Sequence, residues 1–273
     1  MPTEPTDLRA DMRADAASPP SGAQTLEDGP REAERVIAAA TAQGVTLRLL
    51  GGVAVRLRCP HASHRALTRA YADLDYVAPK KQARALRDLL EGLGYTADRR
   101  FNALHGERRL LFFDEARGRQ VDIFLGTFEM CQTLPLEKRL AQHPLTLSPA
   151  DLLLTKLQIF QLNAKDLQDI LALLLDYPPV ARSERPGDEL DVSAIAALCS
   201  QDWGWYTSVH DSLDHALAEA NTLLAPPEAE IIAQRISVIK QQLDETPKSI
   251  GWRTRALVGR RVAWYELPEE VHR

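Results

Sequence analysis

The sequence predicts an α+β protein in which a small β-sheet flanked by helices precedes a helical C-terminal part. Short β-branched or alternating segments, such as residues 45–50 and 72–77, are interspersed with amphipathic segments in the first half of the chain. From Ser148 onwards, apolar residues recur at helical spacing. Of the 273 residues, 45% are hydrophobic and 26% charged, which is the composition of a folded globular protein.

Each predicted element has its own local signal. A helix begins near Pro30, because proline suits the first helical turn, and another begins at Pro149 behind a Ser148 cap. Residues 114–118, Asp-Glu-Ala-Arg-Gly, predict a hairpin turn between two strands. The predicted strands are 45–50, 72–77, 108–113 and 120–125, and the predicted helices before residue 148 are 30–44, 53–57 and 80–94.

Changes in composition divide the chain into a tail and two folded parts. Residues 1–29 are rich in Pro, Ser, Thr, Asp and Ala, which predicts a disordered tail. Residues 30–178 contain all the predicted strands and form the first domain. A stretch rich in proline and charge follows, and residues 188–273 predict a helical C-terminal domain.

Composition also excludes several classes of protein. No apolar run approaches the roughly 20 residues of a membrane helix, and the N-terminus has no apolar signal core, so we expect no membrane association. The three cysteines are widely spaced, which fits neither a disulfide framework nor a zinc site. We therefore expect a cytoplasmic protein. The net charge of −5 argues against a general nucleic-acid coat.

Three aspartates are the candidate chemical groups. Asp73 and Asp75 are two residues apart on a predicted strand, so their side chains project from the same face. Asp122 interrupts an apolar strand, where a charge is costly unless it is paired or binds a cation. Three carboxylates at one place suit Mg²⁺, and two such ions activate an attacking oxygen and stabilise a leaving one.

The order of the motifs is more informative than any one of them. An Asp-x-Asp pair arises by chance in a chain of this composition, and a lone strand aspartate is also compatible with an edge or turn position. Gly51-Gly52 permits close approach to a ligand and presents amide hydrogens to phosphate, although an ordinary tight turn is the alternative. A glycine turn, an acidic pair and a third aspartate on successive elements together favour a site.

This ordered set resembles the nucleotidyltransferase superfamily, which has the polymerase-beta-like fold. The similarity is greatest to the bacterial branch with abortive-infection type toxins and aminoglycoside nucleotidyltransferases. It implies a small mixed β-sheet flanked by helices, with residues 30–178 as the catalytic domain. The matching segments are Leu49–Ala54, Arg69–Asp75, Val121–Phe124, Ser148–Leu157 and Lys165–Ile170.

The resemblance implies a role for each matching residue. Asp73 and Asp75 would be ligands of Mg²⁺, and Asp122 would be a ligand or the base that deprotonates the acceptor hydroxyl. The nucleotide would be held by Gly51, Gly52, Arg69, Lys156, Lys165 and Asp166.

For the two lysines, structural alternatives remain open. Lys165 and Asp169 are spaced i, i+4 on a helix, so a surface ion pair is the simpler explanation. Lys156 lies in an apolar stretch, and its stem can be buried while its ammonium group reaches solvent.

The implied activity is transfer of an NMP from an NTP to an acceptor hydroxyl, with release of pyrophosphate. The acceptor would be a small molecule such as an antibiotic, a tRNA or a protein. In a narrower version, the protein is the toxin of a toxin–antitoxin pair, with an antitoxin as partner. The alternative function is a catalytically silent module of the same fold that binds a nucleotide or RNA.

One further segment is open to two interpretations. Residues 247–265 contain five basic residues, no acidic residue and three aromatic residues. Such a segment suits contact with an RNA backbone and stacking on bases. The alternative is a capping helix whose aromatic side chains pack inward.

Overall fold

The computed structural model describes residues 25–267. The helices are α1 (Gly29–Ala42), α2 (Gly51–Arg58), α3 (Ala83–Gly92), α4 (Arg99–His105), α5 (Pro149–Leu157), α6 (Ala164–Asp176), α7 (Val192–Gln201), α8 (Trp203–Leu223), α9 (Pro226–Glu245) and α10 (Ile250–Val258). The strands are β1 (Arg48–Leu50), β2 (Leu74–Ala78), β3 (Thr96–Ala97), β4 (Arg109–Asp114), β5 (Arg119–Leu125), β6 (Thr127–Glu129), β7 (Thr133–Pro135), β8 (Pro179–Val180) and β9 (Leu190–Asp191).

The central sheet has five strands in the order β1-β2-β5-β4-β3. The β2–β5 pair is parallel, and the other pairs are antiparallel. The predicted α+β class with a small mixed sheet is therefore confirmed. Two further pairs, β6–β7 and β8–β9, lie outside this sheet.

The predicted elements before residue 148 occur close to their expected positions. The strand expected at 72–77 begins at Leu74, and the helix expected at 80–94 starts with a 3₁₀ turn and continues as α3. The sequence analysis did not predict β3, α4 or the β6–β7 and β8–β9 pairs. These elements are at most seven residues long, too short to give a clear periodic pattern.

The end of the predicted N-terminal tail packs against the sheet. Residues 1–24 lie outside the described residues, but Thr25 is buried and its hydroxyl donates to Asp114 at 2.9 Å. Arg119 donates to the carbonyls of Leu26 and Glu27 at 3.0 and 2.7 Å. This segment is therefore held at the end of the β4–β5 hairpin, and α1 follows it with Asp28 as its N-cap.

The two faces of the sheet differ in character. Tyr76 and Phe112 are fully buried on one face. Because side chains alternate along a strand, Asp75 on β2 and Arg109 on β4 lie on the opposite face. The first face contributes to the apolar core, and the second face carries the charged groups that are described below.

The helices after residue 188 pack onto the first part of the chain. Trp205 at the start of α8 is buried, and its indole N–H donates to the carbonyl of Thr133 on β7 at 3.3 Å. Ser212, two turns further along α8, donates to the carbonyl of Leu157 at 2.9 Å. Buried apolar residues from both parts form one continuous cluster, so α8 is the main connection between them.

No helix within residues 25–267 combines the length and the apolar composition that crossing a membrane requires.

We expect Trp205→Ala to lower the free energy of unfolding by about 3–5 kcal/mol, because it empties a large buried site. Leu104, whose side chain is 71% exposed, provides the control, and Leu104→Ala should change stability by less than about 0.5 kcal/mol. Urea unfolding followed by circular dichroism measures both values. Equal stability of the two variants would contradict an anchoring role for Trp205.

Candidate functional site

The three predicted aspartates lie at one end of the central sheet. Asp75 on β2 and Asp122 on β5 are register partners in the parallel pair, so their side chains project side by side from the same face. Asp73 is exposed and lies just before β2, where it interacts with the backbone N–H of Gln120. Burial and the charge of Asp122 both raise the pKa of Asp73. The structure thus places Asp75 and Asp122 side by side, with Asp73 near the same end of the sheet.

The carboxyl group of Asp75 lies where its ionised form is disfavoured. Burial is the main cause that raises its pKa from 3.8 to about 7, and the nearby Asp122 charge adds to the effect. The positive charges of Lys156 and Arg109 act in the opposite direction. Among residues 25–267, no group forms a hydrogen bond or ion pair with the Asp75 carboxylate. The ionised form of Asp75 is therefore destabilised.

Asp122, in contrast, is fully occupied by neighbouring side chains. It is 3% exposed, and its Oδ1 accepts a hydrogen bond from Nε of Arg109 at 2.7 Å. Its Oδ2 accepts one from Nε2 of Gln120 at 2.7 Å. The cost of burying this carboxylate in an apolar strand is offset by these two donors.

The Gly51-Gly52 turn is shaped by close contacts with protein side chains. Gly51 begins α2 with φ of +69°, and a Cβ there would lie 2.2 Å from Oδ2 of Asp75. A Cβ on Gly52 would lie 2.0 Å from a guanidinium nitrogen of Arg69. Both positions therefore require glycine because Asp75 and Arg69 occupy the space. The predicted contact of this turn with a nucleotide remains a prediction.

The predicted cations lie in a second charged cluster. Nζ of Lys156 is 2.9 Å from carboxylate oxygens of both Asp166 and Asp169. Burial acts to lower the pKa of Lys156, but the two carboxylates outweigh it and the pKa is raised. Arg69 forms a bidentate pair with Asp169, with its closest N–O distance at 2.7 Å, and lies over the Tyr71 ring. Asp169 is therefore the shared ion-pair partner of Arg69 and Lys156.

Lys165 does not form the ion pair with Asp169 that helical spacing suggested. Within the described residues, Asp169 pairs with Arg69 and Lys156 instead. Lys165 is exposed, and its positive charge lowers the pKa of Asp73. The i, i+4 alternative is therefore wrong, and the ammonium group of Lys165 acts on the acidic cluster.

A cavity of about 620 Å³ connects the two charged clusters. Its polar part is lined by Gly51, Asp75, Arg109, Lys156 and Asp166. Its apolar part is formed by Phe124, Phe128, Met130, Ile159 and Leu267. A ligand with a charged end and a flat or apolar end would match this distribution of side chains.

The sequence analysis missed two residues of this region, Arg109 and Asp169. Arg109 is opposite Phe124 in the β4–β5 hairpin and therefore lies diagonally across from Asp122. Its place in the site can be predicted only when this register is known. The predicted turn at 114–118 is the signal from which this register follows. Asp169 was assigned to a local pair, and its true partners are distant in sequence.

The acidic cluster has the donor atoms that Mg²⁺ prefers, although they are not gathered around one point. Within residues 25–267, no set of three or more His, Cys, Asp or Glu side chains is placed closely enough to hold a metal ion. Asp122 pairs with Arg109, whereas the Asp75 carboxyl has no hydrogen-bond or ion-pair partner within residues 25–267. A divalent cation would supply the charge that Asp75 lacks, so the residues fit the ion.

The aromatic side chains of the C-terminal segment pack inward. Tyr265 stacks on Phe160 with ring centroids 3.6 Å apart, and Trp264 lies edge-on to Phe160 and Trp203. Arg260 pairs with Asp211 at 2.7 Å. This packing of the rings against neighbouring aromatic side chains is what the capping alternative predicts.

Neither a protein-family model nor a functionally curated protein matches the chain.

Gly51→Ala should destabilise the protein by about 3 kcal/mol or more, because a clash with Asp75 adds to the cost of a left-handed backbone. Gly44 is a matched control, since its φ is +70° and a Cβ there meets no atom within 4 Å. Gly44→Ala should cost only about 1 kcal/mol. Urea unfolding measures both, and equal losses would exclude the close contact with Asp75.

Because of Asp75, we expect the free energy of unfolding to fall as the pH rises in metal-free buffer. Between about pH 4 and pH 7 the unfolded carboxylate ionises while the folded one stays protonated, so folding is progressively disfavoured. Asp75→Asn removes this effect and should be more stable than wild type above pH 7 by about 2 kcal/mol. Thermal unfolding in EDTA from pH 4 to 8 tests this, with the exposed Asp88→Asn as control. If the melting temperatures of wild type and Asp75→Asn change with pH in parallel, the prediction is contradicted.

Proposed function

We propose that the protein is a Mg²⁺-dependent nucleotidyltransferase that moves an NMP from an NTP to an acceptor hydroxyl and releases pyrophosphate. The observation that carries the proposal is the placement of Asp75 beside Asp122 on parallel strands, with Asp75 lining a cavity that Lys156 also lines. The resemblance of the ordered sequence motifs to nucleotidyltransferases supports the same assignment.

In this proposal the acidic cluster holds the metal. Asp73 and Asp75 are the ligands with free oxygen atoms, and Asp122 is a further ligand or the base. When bound, Mg²⁺ neutralises charge on the phosphate oxygens of the substrate. Its arrival would also compensate the buried charge of Asp75, which the protein leaves without a partner.

The cationic side of the cavity would hold the triphosphate. Lys156 is fixed by Asp166 and Asp169, which leaves its ammonium group beside the cavity. Gly51, at the start of α2, lines the same cavity, and the backbone N–H groups of a helix N-terminus suit a phosphate oxygen. The apolar part of the cavity, with Phe128 as a member, has room for the base.

The reaction is an in-line displacement at the α-phosphorus. A bond forms between the acceptor oxygen and this phosphorus, and the bond from phosphorus to the bridging oxygen of pyrophosphate breaks. The hydroxyl proton passes to a carboxylate of the acidic cluster, for which Asp122 is the candidate. The contribution of the protein is the positioning of the reactants and the neutralisation of charge.

The acceptor is a hydroxyl of a small molecule, a tRNA or a protein. If the protein is a toxin, expression should arrest growth and an antitoxin would be its partner. Cytoplasmic location is part of this proposal, since NTPs and all three acceptor classes are found there.

Asp75→Asn and Asp122→Asn should each reduce transfer by about 100-fold or more, because each removes a charge that acts directly at the reacting phosphate. The assay follows pyrophosphate release and label transfer with each α-labelled NTP, Mg²⁺ and candidate acceptors. EDTA should abolish the signal. The exposed Asp88→Asn, on α3, is the control that should retain full activity.

Two outcomes would count against the assignment. Wild-type activity no higher than that of Asp75→Asn, across all NTPs and acceptor classes, would contradict it. Mg²⁺-dependent NTP binding without turnover, lost in Asp75→Asn, would instead favour a catalytically silent nucleotide-binding module.

A further inference from the structure

Arg109 is held in the wall of the cavity by three neighbouring groups. Its Nε donates to Oδ1 of Asp122 at 2.7 Å. The guanidinium carbon lies 5.0 Å from the ring centroid of Phe124 and 5.6 Å from that of Phe101. Its side chain is 25% exposed and lines the same cavity as Asp75. Arg109 is therefore fixed in position and still in contact with the space that a ligand would fill.

The carboxylates around Arg109 would repel each other without it. Asp75 and Asp122 are direct register partners on neighbouring strands, so their negative charges are close together in a partly buried place. Arg109 is the cation that pairs with Asp122, and its charge also stabilises the ionised form of Asp75. Gln120 satisfies the second oxygen of Asp122 but brings no charge.

We infer that Arg109 is the counter-ion of the acidic cluster and competes with a divalent cation for Asp122. This inference rests on the proposed function, since it concerns the metal that the proposed reaction uses. A cation of charge +2 between Asp75 and Asp122 would neutralise the same carboxylates and repel the guanidinium group. Arg109 would then leave Oδ1 of Asp122 and remain in the cavity wall, where an anionic part of the substrate can pair with it.

The sign of the change in metal affinity separates this role from a structural one. Removal of a competing positive charge should strengthen metal binding, whereas loss of a purely structural contact should weaken it. We expect Arg109→Met to bind Mn²⁺ about tenfold more tightly than wild type in isothermal titration calorimetry. Arg108→Met is the matched control, because Arg108 is 76% exposed and pairs with Glu129 away from the acidic cluster. Its affinity for Mn²⁺ should equal that of wild type.

The same competition should appear in thermal stability. Without metal, Arg109→Met should melt below wild type, because the two carboxylates lose their counter-ion. Addition of Mn²⁺ should raise its melting temperature more than that of wild type. Unchanged or weaker Mn²⁺ binding by folded Arg109→Met, or no Mn²⁺ binding by either protein, would overturn the inference.

A second measurement on wild-type protein keeps the inference testable if Arg109→Met does not fold. The Nε–Hε resonance of Arg109, assigned in ¹⁵N NMR spectra by its absence from Arg109→Lys, should be protected from exchange without metal. Addition of Mg²⁺ should shift this resonance and speed its exchange with water. A resonance that Mg²⁺ leaves unchanged would contradict the inference. If Arg109→Met binds Mn²⁺ more tightly than wild type but wild type transfers no NMP to any acceptor, the result would count against the proposed function alone.

Discussion

The carboxyl group of Asp75, which has no hydrogen-bond or ion-pair partner within residues 25–267, is the constraint on which the arrangement of the site depends. Parallel pairing of β2 and β5 sets Asp75 directly beside Asp122, so two like charges share one place on the sheet. Oδ2 of Asp75 lies 2.2 Å from the position that a Cβ on Gly51 would take, so a side chain there would clash with it. Arg109 compensates Asp122 and leaves Asp75 without a partner. Such an imbalance destabilises the ionised form of Asp75.

The glycine pair also sets the distance between the acidic cluster and the cationic one. Asp75 packs against Gly51, and Arg69 packs against Gly52, so groups of opposite charge approach adjacent backbone atoms. Arg69 in turn holds Asp169, which holds Lys156. A turn of two residues without side chains thus brings the two clusters to one cavity.

The sequence predicts those site residues that belong to a short-range pattern. It does not predict those whose role depends on a partner far away in the sequence. The strands and the acidic residues were predictable, because alternation and an Asp-x-Asp spacing are short-range patterns. Arg109 was missed because its relation to Asp122 depends on hairpin register, and Asp169 because its partner Arg69 is 100 residues away. For Asp169, a local helical pair was the natural expectation, and the tertiary structure replaced it with a stronger bidentate one.

Under the proposed function, the charge balance of the two clusters gives a nucleotide a reason to bind together with a metal. The two clusters contain five carboxylates and four cations, of which Asp75, Asp166, Arg109 and Lys156 line the cavity: Asp73, Asp75, Asp122, Asp166 and Asp169, with Arg69, Arg109, Lys156 and Lys165. With every group ionised, the net charge of the two clusters is negative. Three of the four cations are also paired with carboxylates already. A triphosphate alone would therefore be repelled by the acidic cluster. One divalent cation reverses the sign of the local charge, so metal and nucleotide should bind cooperatively at this site.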